Sequence, residues 1–155
     1  MPESEPPYGD WSTPALLRGA RDLYRFAIRN ALDEAGYDDM PRHGAFVVGA
    51  MARTGAPLSV IIRQMGVSKQ AGGQVVDTLV TRGYLERSVD PGDRRRLTIT
   101  LTERGQGAAA AVRAAVDAVD AGVVRRVGAE SFATTRATLA SLMDTDDATP
   151  GNGPH

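Results

Sequence analysis

Apolar residues recur every three or four positions along most of the chain, and this spacing predicts amphipathic α-helices. The first helix follows the cap candidates Ser12 and Thr13, has Pro14 in its first turn and ends at Gly36. Its apolar stripe is wide and consists of Leu16, Leu17, Ala20, Leu23, Tyr24, Ala27, Ile28, Ala31 and Leu32. We therefore expect it to pack against more than its own short domain.

Three shorter helices follow in the pattern. Pro41 is predicted to begin the second helix, which ends near Gly55, and the third covers 58–65. Ser68 then caps the fourth. The inward positions of the fourth helix are predicted to be Ala71, Val75, Val76 and Leu79. Two short helices joined by a glycine-containing turn are typical of a helix-turn-helix.

The pattern changes from helix to strand after residue 83. Residues 84–89 are predicted to form one strand, and residues 97–101 alternate apolar and polar as a half-buried strand does. The Asp-Pro-Gly-Asp segment at 90–93 favours a turn between them. A helix-turn-helix followed by such a hairpin is a winged helix, and its tip would carry Arg94, Arg95 and Arg96.

Thr102 can cap a fifth helix, along which valines repeat almost as a heptad: Val112, Val116, Val119, Val123 and Val127. A last helix is predicted over 130–143. The fold class is therefore mainly α with a small β-hairpin, a winged helix-turn-helix with N- and C-terminal dimerisation helices. The first helix and the last two are expected to bury their apolar faces against a second copy of the chain.

The predicted organisation has four parts. Residues 1–11 form a flexible N-terminal lead, and residues 12–36 with 102–143 form the dimerisation helices. Residues 37–101 form the winged helix-turn-helix, the predicted DNA-binding region. Residues 144–155 are acidic and rich in glycine and proline, so they are predicted to be a flexible tail.

Charge distinguishes the middle of the chain from its ends, although the formal net charge is only −1. Residues 58–104 contain eight basic and five acidic residues, a balance of +3, and the remainder carries −4. A basic centre favours nucleic-acid binding. Three adjacent arginines at a turn repel one another, so folding alone does not explain them, whereas an anionic partner does.

Composition argues against several other classes. The chain has no cysteine and only two histidines, which argues against thiolate chemistry and histidine-rich metal sites. No phosphate loop, nucleophile elbow or paired-carboxylate motif is present, so we expect no enzyme activity and no cofactor. No apolar run approaches the 18 residues of a membrane span, and the N-terminus lacks the order of a signal peptide. A cytoplasmic protein without a membrane partner is expected.

The hairpin and its flanks resemble the MarR family of bacterial transcription regulators. The family pattern D-x-x-D-R-R-x5-L-T-x-x-G is carried by Asp90, Asp93, Arg94, Arg95, Leu101, Thr102 and Gly105. "GVSKQ" at 66–70 and "RGYLER" at 82–87 also fit, and the resemblance extends to about Met143. It implies an obligate homodimer, DNA binding and repression that a small ligand relieves. Two-fold symmetry would place the two recognition helices about 34 Å apart on a palindromic operator of double-stranded DNA.

Two groups of residues are candidate DNA contacts. The resemblance implies that Arg95 enters the minor groove and that Asp93 orients it, while Arg94 and Arg96 contact phosphate or are surface charges. The candidates on the fourth helix are Ser68, Lys69, Gln70, Gly73, Gln74 and Thr78. Gln70 and Gln74 lie one turn apart, and glutamine can bond bidentately to adenine. The cap already explains Ser68.

Gly72 and Gly73 are unusual in a helix interior, where each costs about 1 kcal/mol relative to alanine. Two explanations remain open. Bare backbone would let the helix sit deeper in a DNA groove, or the glycines would make room for the preceding helix.

The resemblance also implies a ligand pocket between the dimer helices and the winged domain. Tyr24, Arg42, His43 and Phe46 are candidates to hold a phenolic or anionic effector, with ordinary core or surface roles as the alternative for each. The alternative to a DNA-binding regulator is a winged-helix protein-interaction module without specific DNA readout, because a fold does not dictate its partner.

Overall fold

The computed structural model describes residues 8–90, 92 and 97–143. Its elements are α1 (Thr13–Glu34), α2 (Gly44–Thr54), α3 (Leu58–Gln64), α4 (Lys69–Thr81), β1 (Leu85–Val89), β2 (Leu97–Leu101), α5 (Glu103–Val127) and α6 (Ala129–Met143). The two strands form one antiparallel hairpin. The predicted fold class, mainly α with a small hairpin in a winged helix-turn-helix, is confirmed.

Two compact units divide the chain within α5: Met1–Asp117 and Ala118–His155. The core of the first unit brings the end of α1 together with α2, α3, α4, the hairpin base and the first half of α5. Its most deeply buried side chains are Leu32, Val47, Val48, Ile61, Leu79, Tyr84 and Leu85. This core holds α4 by its inner face and leaves the outer face in solvent.

The second helix begins three residues later than the sequence predicted. Pro41 lies in a turn in which the Gly44 N–H donates to the Pro41 carbonyl at 2.8 Å, and His43 occupies the N-cap. A Cβ on Gly44 would lie 2.6 Å from the sulfur of Met40, so only glycine fits this tight turn. The predicted start is wrong because Pro41 opens a local turn closed by Gly44, and α2 begins only after that turn.

The helix ends agree with the glycine signals in the sequence. Gly36, Gly55 and Gly83 all have positive φ, which glycine adopts without steric cost, and each follows the end of a helix. Ser12 occupies the N-cap of α1, as predicted, but its side chain makes no capping hydrogen bond. Tyr84, predicted as the first strand residue, lies just before β1 with its ring buried.

The valine repeat of α5 runs from buried to exposed. Val112 belongs to the core of the first unit, Val116, Val119 and Val123 are half-buried, and Val127 is exposed. Along the first half of the helix, buried small residues do most of the packing. In the second unit, α6 has no buried residue.

Candidate nucleic-acid interface

The fourth helix carries four exposed residues on the side opposite its buried ones. Gly72, Val76 and Leu79 face the core, so the 3.6-residue period places Gln70, Gln74, Asp77 and Thr81 on the outer face. We call these four residues the polar stripe. Each of them has hydrogen-bonding capacity, which suits a surface that reads polar groups on a partner.

Ser68 caps this helix as the sequence predicted. It has an extended backbone, and its Oγ accepts a hydrogen bond from the Ala71 N–H at 3.1 Å. The cap satisfies one of the free N–H groups of the first turn and fixes where α4 begins. Lys69, which is exposed, is the first residue of α4. The N-terminus of the helix therefore carries both the positive end of the helix dipole and the charge of a lysine.

The other predicted α4 contacts differ in how accessible they are. Ser68, Lys69, Gln70 and Gln74 are exposed, whereas Gly73 and Thr78 are half-buried. The Thr78 hydroxyl donates to the Gln74 carbonyl at 2.8 Å, so it is turned back onto its own helix. The structure thus places Gln70 and Gln74 on the outer face and Ser68 and Lys69 at the exposed start of the helix, whereas Gly73 and Thr78 are less accessible.

The adjacent glycines have different surroundings. A Cβ on Gly72 would overlap Cγ2 of Ile62, whereas a Cβ on Gly73 would meet nothing within 4 Å. Packing room against α3 therefore explains Gly72. It does not explain Gly73, for which close approach of a partner remains the other explanation.

An ion pair that the sequence analysis did not predict joins α4 to the hairpin. Arg87 Nη2 on β1 donates to Asp77 Oδ1 in the polar stripe. The helical spacing from Gln70 and Gln74 could have singled out Asp77 as a member of the same face. Arg87 had no comparable signal, because its approach to Asp77 depends on how the hairpin packs on α4.

The wing arginines and their predicted partner, Arg94, Arg95, Arg96 and Asp93, lie outside the described residues. The hairpin that carries them is paired up to Val89 and Leu97. At its turn, Asp90 Oδ1 accepts from the Gly92 N–H at 2.8 Å, the local bond that an Asx turn makes.

A second unpredicted cluster lies at the base of the hairpin. Arg104 Nη2 donates to Asp39 Oδ1 at 2.8 Å and lies 3.2 Å from Tyr84 Oη, which itself donates to Asp39. The Arg104 guanidinium also stacks over the Tyr84 ring, 4.4 Å from its centre. Arg82 donates to the Asp39 carbonyl. Two arginines counted in the basic centre are therefore engaged within the protein.

Burial, followed by the hydrogen bond to Asp39, raises the pKa of Tyr84 to about 12 from the ordinary 10.0, against the lowering effect of Arg104. The phenol therefore stays protonated and donating at any physiological pH. The cluster ties the connection between α1 and α2 to the hairpin and to the start of α5.

The ligand-pocket candidates are all in the first unit but do not share a described cavity. Tyr24 and His43 are half-buried, while Arg42 and Phe46 are exposed. One surface cleft is lined by Pro14, Leu17, Arg18 and Arg21, and another by Ala52, Leu101, Gln106, Ala109, Ala110 and Arg113. Neither includes the four candidates, which stay a prediction.

The described residues lack two other kinds of functional feature. They contain no group of three or more histidine, aspartate or glutamate residues placed to hold a metal ion. None of their helices is long and apolar enough to span a membrane.

Known proteins resemble the chain in sequence and in fold. The sequence profile of the MarR family matches residues 38–96. The uncharacterized HTH-type transcriptional regulator YwhA of Bacillus subtilis is 31% identical over 116 residues, which cover 72% of this chain and 81% of that protein.

Solved structures share the fold at lower identity. Transcriptional regulator PA4135 superposes with a TM-score of 0.66 at 21% identity, covering 86% of this chain and 97% of its own. The structure of S. aureus MepR in a DNA complex superposes with a TM-score of 0.67 at 17% sequence identity. The match covers 87% of this chain and 98% of MepR. The structure of MepR bound to ethidium bromide has a TM-score of 0.55 at 18% sequence identity, and the match covers 87% of this chain and 96% of MepR. With the sequence match to YwhA, this evidence places the chain in the MarR family of winged helix-turn-helix transcription regulators.

Proposed function

We propose that this protein is a cytoplasmic, homodimeric repressor that binds a palindromic operator in double-stranded DNA and leaves it when a small ligand binds. The observation that carries the proposal is the polar stripe, held outward on a capped helix directly before a hairpin. MepR, which has the same fold, has been crystallised with DNA.

In this proposal α4 enters the major groove. Gln70 and Gln74 lie one turn apart and can each bond to the N6 and N7 positions of an adenine. Lys69 and Ser68, at the helix start, contact phosphate or guanine, and bare Gly73 allows close approach. Thr78 completes the surface. The helix then reads A·T pairs through its amides.

The wing supplies the second set of contacts. By resemblance to the family, Arg95 enters the minor groove, where negative potential is strong, and Asp93 orients it. Arg94 and Arg96 contact the phosphates on either side. Contacts to both grooves explain why the arginines are adjacent although they repel one another.

Exposed apolar side chains support the homodimer. Within the first unit, α1 exposes Leu16, Leu17, Leu23 and Phe26, and within the second, α6 exposes Leu139, Leu142 and Met143. Large apolar side chains repeated along one helix are typical of a surface that another chain covers. A two-fold dimer presents two copies of α4, which match two half-sites.

The effector is proposed to be phenolic or anionic. Tyr24 and Phe46 offer aromatic surface, and Arg42 and His43 offer partners for a carboxylate or phenolate. MepR, which has the same fold, has been solved with ethidium bromide bound; ethidium is an aromatic cation, so this neighbour supports a small aromatic ligand and not an anionic one. The effector shifts the protein away from DNA only if it binds the released state more tightly.

The first test is DNA binding itself. Fragments retained by the purified protein from its own genome define an operator, and fluorescence anisotropy compares that operator with a random duplex. Gln74→Ala should weaken operator binding by roughly 1–3 kcal/mol and change binding to the random duplex little, because it removes a base contact. Gln106→Ala, at the start of α5, is the matched control and should change neither.

Salt dependence separates this function from a protein-interaction module. Contacts to several phosphates release counterions, so affinity must fall steeply as salt rises. An apolar protein interface responds little to salt. Failure of the wild-type protein to bind any fragment at low ionic strength would favour the interaction module.

A further inference from the structure

The ion pair between Asp77 and Arg87 is exposed to solvent, where an ion pair adds little to folding stability. Their side chains are 67% and 47% exposed. An exposed pair of this kind contributes only about 0–1 kcal/mol to stability. Folding stability therefore does not explain why the two residues are paired.

Asp77 belongs to the polar stripe, three residues after Gln74 and seven after Gln70. A lone carboxylate on a face that enters a DNA groove would repel the phosphates. The guanidinium of Arg87 removes that repulsion. The ion pair therefore joins the acidic residue of the polar stripe on α4, Asp77, to a cation on β1, Arg87.

Arg87 occupies a defined place between the two DNA-binding elements. In the hairpin register it lies opposite Ile99, and two residues after buried Leu85, so it shares the face that packs toward α4. With α4 in a major groove and the wing in the adjacent minor groove, one sugar–phosphate strand runs between them. A cation between α4 and the hairpin faces that strand.

The guanidinium keeps donors for such a phosphate. The bond to Asp77 uses Nη2, while a guanidinium has five N–H donors in a fixed planar fork. A carboxylate bound to one side of that fork restricts the rotation of a flexible side chain. The remaining N–H groups are then held ready for an anion.

We propose that Arg87 is a DNA phosphate contact and that Asp77 is the residue that positions it, an inference that rests on the DNA binding proposed above. Because Arg87 binds the sugar–phosphate strand between the two grooves, the pair fixes the position of α4 along the major groove. Asp77 acts through Arg87 and does not itself read a base.

Anisotropy titrations of the full-length protein test this against the operator and a random duplex of equal length. Arg87→Gln should weaken binding to both by about tenfold. It should also lower the magnitude of the salt slope by about one, as the loss of one phosphate contact requires.

Asp77→Ala gives the sharper test, because charge and positioning predict opposite signs. Removing a negative charge near DNA would by itself tighten binding, whereas losing the positioning of Arg87 weakens it. In the Arg87→Gln background, Asp77→Ala should tighten binding. Without Arg87, the Asp77 carboxylate only repels the DNA phosphates, and the substitution removes that repulsion. Asp77→Glu should restore binding, because it keeps a carboxylate within reach of Arg87.

Glu86→Gln is the matched control. Glu86 is the exposed acidic neighbour of Arg87 on the opposite side of β1, so its removal should cause no loss of affinity. Thermal melting of each variant by circular dichroism should show an unchanged fold, because both partners are exposed.

Three results would overturn the proposal: tighter binding by Asp77→Ala alone, an unchanged salt slope in Arg87→Gln, or a loss by Asp77→Ala confined to the operator. The last would mean that Asp77 accepts from a cytosine instead. If the wild type binds neither duplex at low ionic strength, the proposed function fails as well. Binding by the wild type separates the two failures.

Discussion

At the scale of single residues, Gly72 and Gly73 show how neighbouring positions of one type can have different causes. A Cβ on Gly72 would overlap Cγ2 of Ile62, so a side chain there would force Ile62 to move. The position of Gly73 is open, so an alanine there would relieve the entropy cost of a helical glycine without a clash. Packing among the described residues therefore does not explain Gly73, and close approach of DNA is the proposed explanation.

We therefore expect Gly73→Ala to raise the free energy of unfolding by up to about 1 kcal/mol and yet to weaken operator binding. The matched variant Gly72→Ala should lower the free energy of unfolding by roughly 1–3 kcal/mol, because Ile62 must move. Urea unfolding and anisotropy titration measure the two effects. Tighter or unchanged operator binding by Gly73→Ala would remove close approach as an explanation.

At the scale of elements, the cluster of Asp39, Tyr84 and Arg104 holds three segments together at the base of the hairpin. Thr102 adds a backbone connection there, since its Oγ1 donates to the Gly83 carbonyl and accepts from the Gly105 N–H at 3.0 Å. A Cβ on Gly105 would overlap the Tyr84 carbonyl, so this glycine permits the close approach of α5. These contacts hold the base of the hairpin against the start of α5.

The raised pKa of Tyr84 predicts how stability depends on pH. Below pH 10 the phenol is protonated in both the folded and the unfolded chain, and its contribution to stability is complete. As pH rises from 10 to 12, the unfolded chain loses the proton first, so the free energy of unfolding falls. Tyr84→Phe should show a shallower fall across this interval in urea unfolding.

Tyr8→Phe is the control for this experiment, because it removes an exposed phenol by the same chemical change and leaves Tyr84 in place. Tyrosinate absorbance gives a direct readout. In the native protein, Tyr84 should ionise with a pKa of about 12 and not 10.0. Ionisation of Tyr84 near pH 10 would contradict the buried, donating phenol.

At the scale of the whole molecule, the described residues leave large apolar side chains in solvent. Phe26 on α1 is 66% exposed, and Met143 at the end of α6 is 85% exposed. Covering such residues removes apolar area from water at about 25 cal/mol per Å². A second copy of the chain is the partner that the two-fold arrangement of the proposed operator requires.

If the proposed dimer covers this face, Phe26→Glu should convert it to a monomer and reduce operator affinity, because burying a carboxylate at the interface is costly. Arg25→Glu introduces the same residue on the opposite side of α1 from Leu16 and Leu23 and should leave the dimer intact. Analytical ultracentrifugation distinguishes the two species. A wild-type protein that sediments as a single chain would exclude the dimer.

The sequence by itself determined the features that depend on neighbouring residues. Ser68 caps α4 because its hydroxyl needs only the N–H three residues later, and Gly36, Gly55 and Gly83 end helices because a positive φ is a local property. The alternation at 97–101 was enough to place β2 for the same reason. These short-range interactions decided the element order and, through it, the family's fold.

Only the tertiary structure decided the features that depend on residues distant in sequence. Asp39 and Arg104 are 65 positions apart, and Arg87 meets Asp77 because the hairpin packs beside α4. The separate surroundings of Gly72 and Gly73 also depend on the third helix, because Ile62 packs against the backbone of Gly72 and not against that of Gly73. Periodicity shows which face of an element is polar, whereas the packing of the elements decides which charges on those faces are paired.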